Sequence, residues 1–112
     1  MSAPQLTRRL VLEAPVRVPD GAGGAIRSWS ALGELWADVQ PRSGRERSEA
    51  GMPVSNMSYR IVVRGAPVGS LQRPAPEQRF RDGARIYRIR AVAEADAAGH
   101  YLACFADEEV AA

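Results

Sequence analysis

The sequence DGARIYRIRAV at residues 82–92 places a turn-forming Asp-Gly pair directly before a run with the composition of a β-strand. We predict a strand over residues 85–92, in which Ile86, Arg88 and Arg90 project from one face because side chains alternate along an extended chain. After a connection at 94–99, residues 100–106 predict the final strand. The last third of the chain is therefore expected to be β structure.

Two further strands are predicted upstream. Residues 59–64 contain the β-branched side chains that favour extended structure. Residues 35–40 alternate between apolar and polar side chains, with Trp36 on the polar face, and Pro41 ends the run. A large aromatic side chain on a polar face suits a contact with another subunit. The alternative, that the register slips or the sheet curls so that Trp36 is core, stays open on the sequence.

A hairpin is predicted at the N-terminal end of the chain. Residues 6–13 alternate, with the leucines on one side and Glu13 among the polar residues of the other side. The glycine-rich cluster at 19–24 favours a chain reversal, because glycine adopts positive φ angles without steric cost. A second strand is expected to follow near residues 25–30.

Six short strands, several turn clusters and no strong helical periodicity predict a mostly β fold, a small antiparallel β-barrel of about six strands with long loops and at most one short helix. The length of 112 residues suits a single domain, 1–112. Long loops are expected near 42–56, which is highly charged, and near 65–78, which is rich in proline. In the first of them Ser43 and Glu46 have capping-box spacing, so a two-turn helix and a mobile loop are both open.

Composition argues against several functional classes. The formal net charge is +2, too small to indicate a nucleic-acid binder, and lysine is absent. That absence reflects either a GC-rich coding sequence or a use for bidentate guanidinium contacts. No apolar run approaches the roughly 20 residues that span a bilayer, and the N-terminus lacks a signal-peptide core. We therefore expect a cytoplasmic chain with no membrane association.

No catalytic or metal-binding constellation is predicted. The single cysteine, Cys104, has no partner for an internal disulfide and lies mid-strand, where a thiol usually packs as a small apolar group. The single histidine, His100, has no obvious partner for general base catalysis. The aspartates are scattered singly, and the glycines at 21–24 lack the Gly-Lys-Ser/Thr ending of a phosphate-binding loop. We predict no enzyme activity, no cofactor and no metal.

Two groups of residues are the candidates for interaction. They are Arg42, Arg45 and Arg47 in the loop near 42–56, and Ile86, Arg88 and Arg90 on the strand at 85–92. A solvated face with intersubunit arginine–carboxylate pairs accounts for most of the arginines. The alternative is contact with DNA, which becomes effective when several copies form a ring, because affinity for the nucleic-acid backbone scales with the number of phosphates neutralised.

Four stretches, taken in order, resemble the phage head-closure proteins, also described as head–tail adaptor, stopper or head–tail joining proteins, and their relatives in gene transfer agents. The stretches are residues 19–29, 35–46, 59–64 and 82–92. Together they are spread over the chain from residue 19 to residue 92. The proline-rich loop at 65–78 departs from the family pattern because it is longer.

The resemblance implies a small β-barrel subunit that assembles as a homo-oligomeric ring, a hexamer, below the portal and adaptor rings of a filled capsid. There it would retain packaged double-stranded DNA and dock tail-terminator or other tail proteins. Carried onto this sequence, the segment 42–56 is expected to project toward the channel or the neighbouring rings. Trp36 and the face that contains Ile86 are expected to contact neighbouring subunits. Assembly is expected in the bacterial cytoplasm, followed by incorporation into the head–tail neck of the particle.

Two other functions are compatible with the sequence. A tail-completion or minor tail protein also uses small β domains in rings. A free-standing oligonucleotide-binding barrel requires aromatic residues on a basic groove. The aromatic residues available for such a groove are Trp29, Trp36, Tyr59, Tyr87 and Tyr101.

Overall fold

The computed structural model describes residues 3–42, 45–49 and 52–109, and within those ranges it contains eight β-strands and no helix. The strands are β1 (Arg8–Pro19), β2 (Ala25–Pro41), β3 (Arg45–Glu49), β4 (Met52–Asn56), β5 (Ser58–Arg64), β6 (Arg79–Asp82), β7 (Arg85–Glu94) and β8 (Tyr101–Glu109). For β3 and β4 only the backbone pairing is described.

Six of the strands close into a barrel in the order β1-β2-β5-β8-β7-β6, and every neighbouring pair is antiparallel. This confirms the predicted small antiparallel barrel. Alternate side chains point into the barrel, where they form one apolar core. The buried core residues are Leu10, Leu12, Ala37, Tyr59, Ile61, Val63, Phe80, Tyr87, Ile89, Leu102, Cys104 and Ala106.

The number of barrel strands agrees with the prediction, but two of the strands differ. The separate strands expected near 25–30 and 35–40 are a single strand, β2. The interruption is a β-bulge, where the register shifts so that Leu32 has no partner in β1 and Gly33 takes a φ of 149°. The strand β6 was missing from the prediction, because four residues with one apolar side chain, Phe80, show no alternation.

The described part of the segment near 42–56 contains strands and not the two-turn helix that was one of the two alternatives. At residues 45–49 and 52–56 it forms the antiparallel pair β3–β4, in which Arg45 lies opposite Asn56 and Glu49 opposite Met52. Glu49 and Met52 are the last paired residues of the two described strands. Local capping-box spacing therefore did not predict the structure here. Ser43, one of the two capping residues, lies outside the described residues.

The other predicted loop, the proline-rich segment 65–78, contains turns and no strand. It connects the end of β5 to the start of β6, and Pro74 within it is fully buried. Gly65 packs tightly against the β7–β8 turn, since a Cβ atom built there would lie 2.2 Å from the Gly99 carbonyl oxygen. The segment therefore crosses the end of the barrel in contact with the turn that joins the last two strands.

A two-stranded arm extends from one end of the barrel. The β1–β2 pairing continues to Pro19 and Ala25, whereas β1 pairs with β6 only as far as Glu13 and β2 pairs with β5 only from Ala37 onward. Residues 14–30 therefore form a ribbon with no strand beside it. Its tip is the predicted turn, where the Asp20 carboxylate accepts hydrogen bonds from the amides of Ala22 (2.8 Å) and Gly24 (3.1 Å).

Candidate subunit-contact surfaces

An ion-paired cluster anchors the arm to the barrel wall. Glu13, on the outer side of β1, lies opposite Arg79 of β6, and its two carboxylate oxygens accept hydrogen bonds from Arg79 Nε (2.7 Å) and Arg81 Nε (2.9 Å). The Glu13 side chain is only 8% exposed. The Arg79 guanidinium also stacks over the Trp29 ring, 4.0 Å from its centroid. Strand β6 and both strands of the arm are thus held together at one point.

The electrostatics of this cluster favour the charged form of Glu13. Burial by itself tends to raise the pKa of the carboxyl group, but the hydrogen bonds and charges of Arg81 and Arg79 outweigh it and hold the pKa below its usual value. The sequence prediction placed Glu13 on the polar side of its strand, which is correct. The prediction did not anticipate the burial of Glu13. Its partner Arg79 lies 66 residues away along the chain, in the strand β6 that was not predicted.

The opposite end of the barrel has its own polar network. Arg85 at the start of β7 donates to both carboxylate oxygens of Glu108 (2.8 and 3.1 Å), and the Tyr59 hydroxyl donates to Glu108 Oε1 (2.9 Å). The hydrogen bonds from Arg85 lower the pKa of Glu108, against the effect of its partial burial. Arg8 and Asp82 form an ion pair between β1 and β6 at the same end. These contacts close the barrel end to which the β3–β4 hairpin is attached.

Trp36 projects outward from β2 and is 55% exposed. Its direct neighbour across the sheet is Arg9 of β1, which pairs with Glu34 (3.3 Å) at the surface. The alternative in which Trp36 is part of the core does not hold, because the predicted alternation of the strand is kept and Ala37 occupies the buried position. A large aromatic side chain is therefore left in solvent in the isolated chain.

The second predicted contact face lies on β7. Ile86 and Arg88 point outward between the buried residues of the strand, and Arg90 is the extra residue of a β-bulge between Ile89 and Ala91. Arg88 pairs with Glu109 (3.5 Å) and Arg90 with Asp107 (2.9 Å), both on the neighbouring strand β8. The arginines therefore form a charged outer wall, and the Arg90 side chain remains 63% exposed.

The order of strands around the barrel places these two faces on opposite sides. In the closed order β1-β2-β5-β8-β7-β6, two strands separate β2 from β7 in either direction. Trp36 on β2 and the Arg88 face on β7 therefore point away from each other. The structure does not bring the two groups together within one chain.

The third group, the arginines near 42–56, is only partly described. Arg42 follows β2, its amide donates to the Ser58 carbonyl oxygen (2.8 Å), and its guanidinium lies 5.3 Å from the centroid of the Phe105 ring. Arg45 and Arg47 lie two positions apart in β3, and their side chains are outside the described part of the structure.

Most of the described arginines are used in ion pairs within the chain. The paired ones are Arg8, Arg9, Arg79, Arg81, Arg85, Arg88 and Arg90. Among the described residues, no carboxylate lies within 4.0 Å of Arg17, Arg27, Arg42, Arg60, Arg64 or Arg73. These arginines lie on the arm, at the start of the 42–56 segment, on β5 and in the 65–78 segment.

The described residues show no arrangement suited to catalysis. Cys104 is buried inside the barrel, and burial raises the pKa of its thiol to about 12. His100 is an exposed residue 3.4 Å from Asp96. A groove of about 530 Å³ contains Asp38 and Asp96, but both carboxylates already accept hydrogen bonds from backbone amides. In the described ranges no three His, Cys, Asp or Glu residues are grouped to hold a metal ion, and no helix is long and apolar enough to cross a membrane.

Comparison with known proteins agrees with this structural picture. Residues 1–109 match the model of the family described as phage head completion protein. Four chains of solved structures match, and one of them is a chain from the virion of a native gene transfer agent particle. That chain is 58% identical in sequence, with a TM-score of 0.84, and the match covers 98% of this chain and 100% of the other. No curated protein matches.

The all-β fold and these similarities indicate a structural protein of phage-like virions. The chain belongs to the phage head completion protein family, which confirms the resemblance seen in the sequence. A structural family of this kind suggests a role without catalysis. It also supports a place in a phage-like particle, at the junction of head and tail.

Proposed function

We propose that copies of this chain form a closed ring of six subunits at the head–tail junction, where the ring retains packaged DNA and docks the tail. The observation that supports the ring is the position of Trp36 and the Arg88 face on opposite sides of the barrel. A ring with rotational symmetry joins two different surfaces of each subunit, one facing each neighbour. Two exposed faces on opposite strands meet that requirement.

The chemistry of the two faces suits a direct contact. Trp36 is an exposed indole, and Arg88 and Arg90 present guanidinium groups on an outer wall that also contains the apolar side chain of Ile86. A guanidinium stacked on an indole ring contributes about 0.5–2 kcal/mol, with more when water is excluded. Tryptophan and arginine are also the residues whose truncation most often weakens an interface strongly. We therefore place Trp36 of one subunit against the β7 wall of the next.

Replacing Trp36 with Ala tests the proposed ring. The exposed position predicts little change in the free energy of unfolding, within about 1 kcal/mol. The amount of this chain in purified particles is expected to fall by about tenfold or more, because an interface tryptophan contributes about 2 kcal/mol or more. Particles should correspondingly lose tails and nuclease-protected DNA. The measurements are quantitative mass spectrometry of particles and urea denaturation of the purified chain.

Trp36→Phe is the matched control, because it keeps an aromatic ring at the same position. It is expected to retain most of the incorporation. Normal incorporation of Trp36→Ala would contradict the proposed contact. A badly destabilised Trp36→Ala chain would instead show that the residue supports the fold.

We place the β3–β4 hairpin toward the DNA channel or the adjacent ring. The hairpin is a separate two-stranded sheet attached at one end of the barrel, and the segment that contains it has Arg42, Arg45 and Arg47. One chain with a net charge of +2 neutralises few phosphates, whereas six copies around one duplex multiply the number of contacts. The arm extends from the other end of the barrel, so the ring offers two different faces, one for the portal and adaptor side and one for the tail side.

The hairpin is expected to gain protection from hydrogen exchange when the particle assembles. An isolated two-stranded hairpin is marginally stable in water, so its amides should exchange quickly in the separate subunit. In the particle, exchange of the amides of β3 and β4 is expected to slow by about tenfold or more. The amides of β5, in the barrel, serve as the internal control and should be protected in both states. Equal protection of β3 and β4 in both states would argue against an ordered role in the neck.

A further inference from the structure

One face of the arm continues the apolar interior of the barrel into solvent. Leu10 and Leu12 point into the core, and the same side of β1 continues through Val16 and Val18 beyond the barrel. Val18 lies opposite Ile26 of β2. Val16, Val18 and Ile26 are 39%, 44% and 60% exposed. The arm therefore presents a stripe of aliphatic side chains that nothing in the described chain covers.

The other face of the arm is cationic. Arg17 and Arg27 are directly opposite each other in the β1–β2 register, and no carboxylate lies within 4.0 Å of either among the described residues. Like charges in directly opposite positions destabilise a strand pair. An acidic partner outside the arm would remove that cost. The arm also has unpaired backbone edges on both sides, which favour association with another chain.

The same end of the barrel has a groove with complementary properties. The groove has a volume of about 380 Å³ and lies along the 65–78 segment, with Val92 of β7 and Leu32 of β2 in its wall. Val68 and Leu71 on this segment are 86% and 68% exposed, the largest exposures among the big aliphatic residues described. This is a second apolar surface without a cover in the single chain.

Acidic residues lie beside the groove. Glu77 is exposed and has a φ of 77°, a left-handed conformation that is costly for a residue other than glycine. Glu94, also exposed, lies two positions after Val92 and therefore on the same side of β7. No basic group lies within 4.0 Å of either carboxylate in the described chain. Arg73 lines the groove but donates to the Ala66 carbonyl oxygen (3.0 Å) within the segment.

We propose that the arm of one subunit binds the groove of the next copy of the same chain. The aliphatic stripe of the arm would cover Val68 and Leu71, and Arg17 and Arg27 would approach Glu77 and Glu94. Because the arm and the groove are different surfaces, the contact is head-to-tail and continues from copy to copy until a ring closes. The groove also includes Leu32 of β2, at the base of the arm. Its Val92 and Glu94 side lies on β7, so an arm that approaches from that side comes from the same direction as Trp36. The inference therefore rests on the proposed ring and adds a second, interlocking contact to it.

Cysteine cross-linking in assembled particles tests this contact. The natural Cys104 is buried with a raised thiol pKa, so introduced cysteines are the reactive ones. Val18→Cys combined with Leu71→Cys in one chain is expected to give disulfide-linked oligomers that extend up to the complete ring under mild oxidation. Ile26→Cys combined with Val68→Cys is a second pair for the same contact. Each single variant alone should give no ladder, and two single variants expressed together should give dimers only.

The outcomes separate the arm contact from the ring itself. If particle reconstructions show the ring but neither cysteine pair gives cross-linked oligomers, the arm contact is overturned and the proposed ring is retained. A disulfide within one chain would also overturn it. Particles in which wild-type copies do not form a ring would contradict the proposed function.

Charge reversal gives an independent readout. Arg17→Glu with Arg27→Glu is expected to lower incorporation into particles by about tenfold, and Glu77→Arg with Glu94→Arg should do the same. Combining all four changes should restore incorporation to within about twofold of wild type, since the opposite charges again face each other. If the arm contacted DNA or another neck protein, the variant with all four changes would be incorporated as poorly as the Arg17→Glu, Arg27→Glu variant. That result would overturn the proposal.

Discussion

Phe80→Ala is expected to lower the free energy of unfolding by about 3–5 kcal/mol, enough to unfold a substantial fraction of a small domain. Phe80 is fully buried and is the one core residue supplied by β6, the short strand that joins β7 to β1 and closes the barrel. Removing the phenyl ring of Phe80 leaves a cavity where β6 closes the barrel. Urea denaturation followed by tryptophan fluorescence measures the change.

Phe80→Leu is the matched control, since it keeps most of the buried volume. It is expected to cost less than about 1.5 kcal/mol. If Phe80→Ala cost no more than the leucine variant, β6 would not be closing the barrel. Particle incorporation should follow stability in both variants, because Phe80 has no exposed surface.

Glu13→Ala is expected to destabilise the fold by about 3 kcal/mol, because it leaves Arg79 without its nearly buried counter-charge. It should also release the arm, since Arg79 connects Glu13 to Trp29. Glu34→Ala is the control, because Glu34 pairs with Arg9 at an exposed position and such pairs contribute about 1 kcal/mol or less. A cost for Glu13→Ala that equals the cost for Glu34→Ala would show that the cluster is unimportant for stability.

The same cluster predicts a dependence of stability on pH. The folded-state pKa of Glu13 lies below the ordinary value of 4.5, so the unfolded chain binds the proton more readily. The stabilisation is therefore complete above that ordinary pKa and is lost as the pH falls through the lower folded-state pKa. The free energy of unfolding is measured from about pH 6 down to about pH 3, a range that includes the ordinary pKa of a carboxyl group. It should fall less over this range in Glu13→Gln than in wild type.

Strands with one buried face were predictable from the sequence. The alternation at 35–40 placed Trp36 outside and Ala37 inside, and both are found there. The β-branched run at 59–64 became β5, and the 85–92 run became most of β7. In β2 the period of two fixes which side chains face the core, whereas β5 was recognised from its β-branched residues and is buried on both faces from Ile61 to Val63. Both signals are local.

Segments without such a pattern were predicted poorly. The prediction divided β2 into two strands, whereas the structure has one strand with a β-bulge at Gly33. The helix considered near 42–56 was wrong for β3 and β4, because capping-box spacing is a weak local preference that strand pairing overrides. The agreement on six barrel strands arose because one divided strand and one missed strand compensated each other.

What the sequence established without a structure is the list of inward and outward positions in the regular strands, together with the family resemblance. The order of strands around the barrel, which sets Trp36 and Arg88 on opposite sides, came only from pairing between distant segments. The same is true of the Glu13 cluster, whose partners lie 66 and 68 residues along the chain. Alternation is a property of a few consecutive residues, whereas neighbours across a barrel depend on how the whole chain closes, and no local pattern encodes that closure.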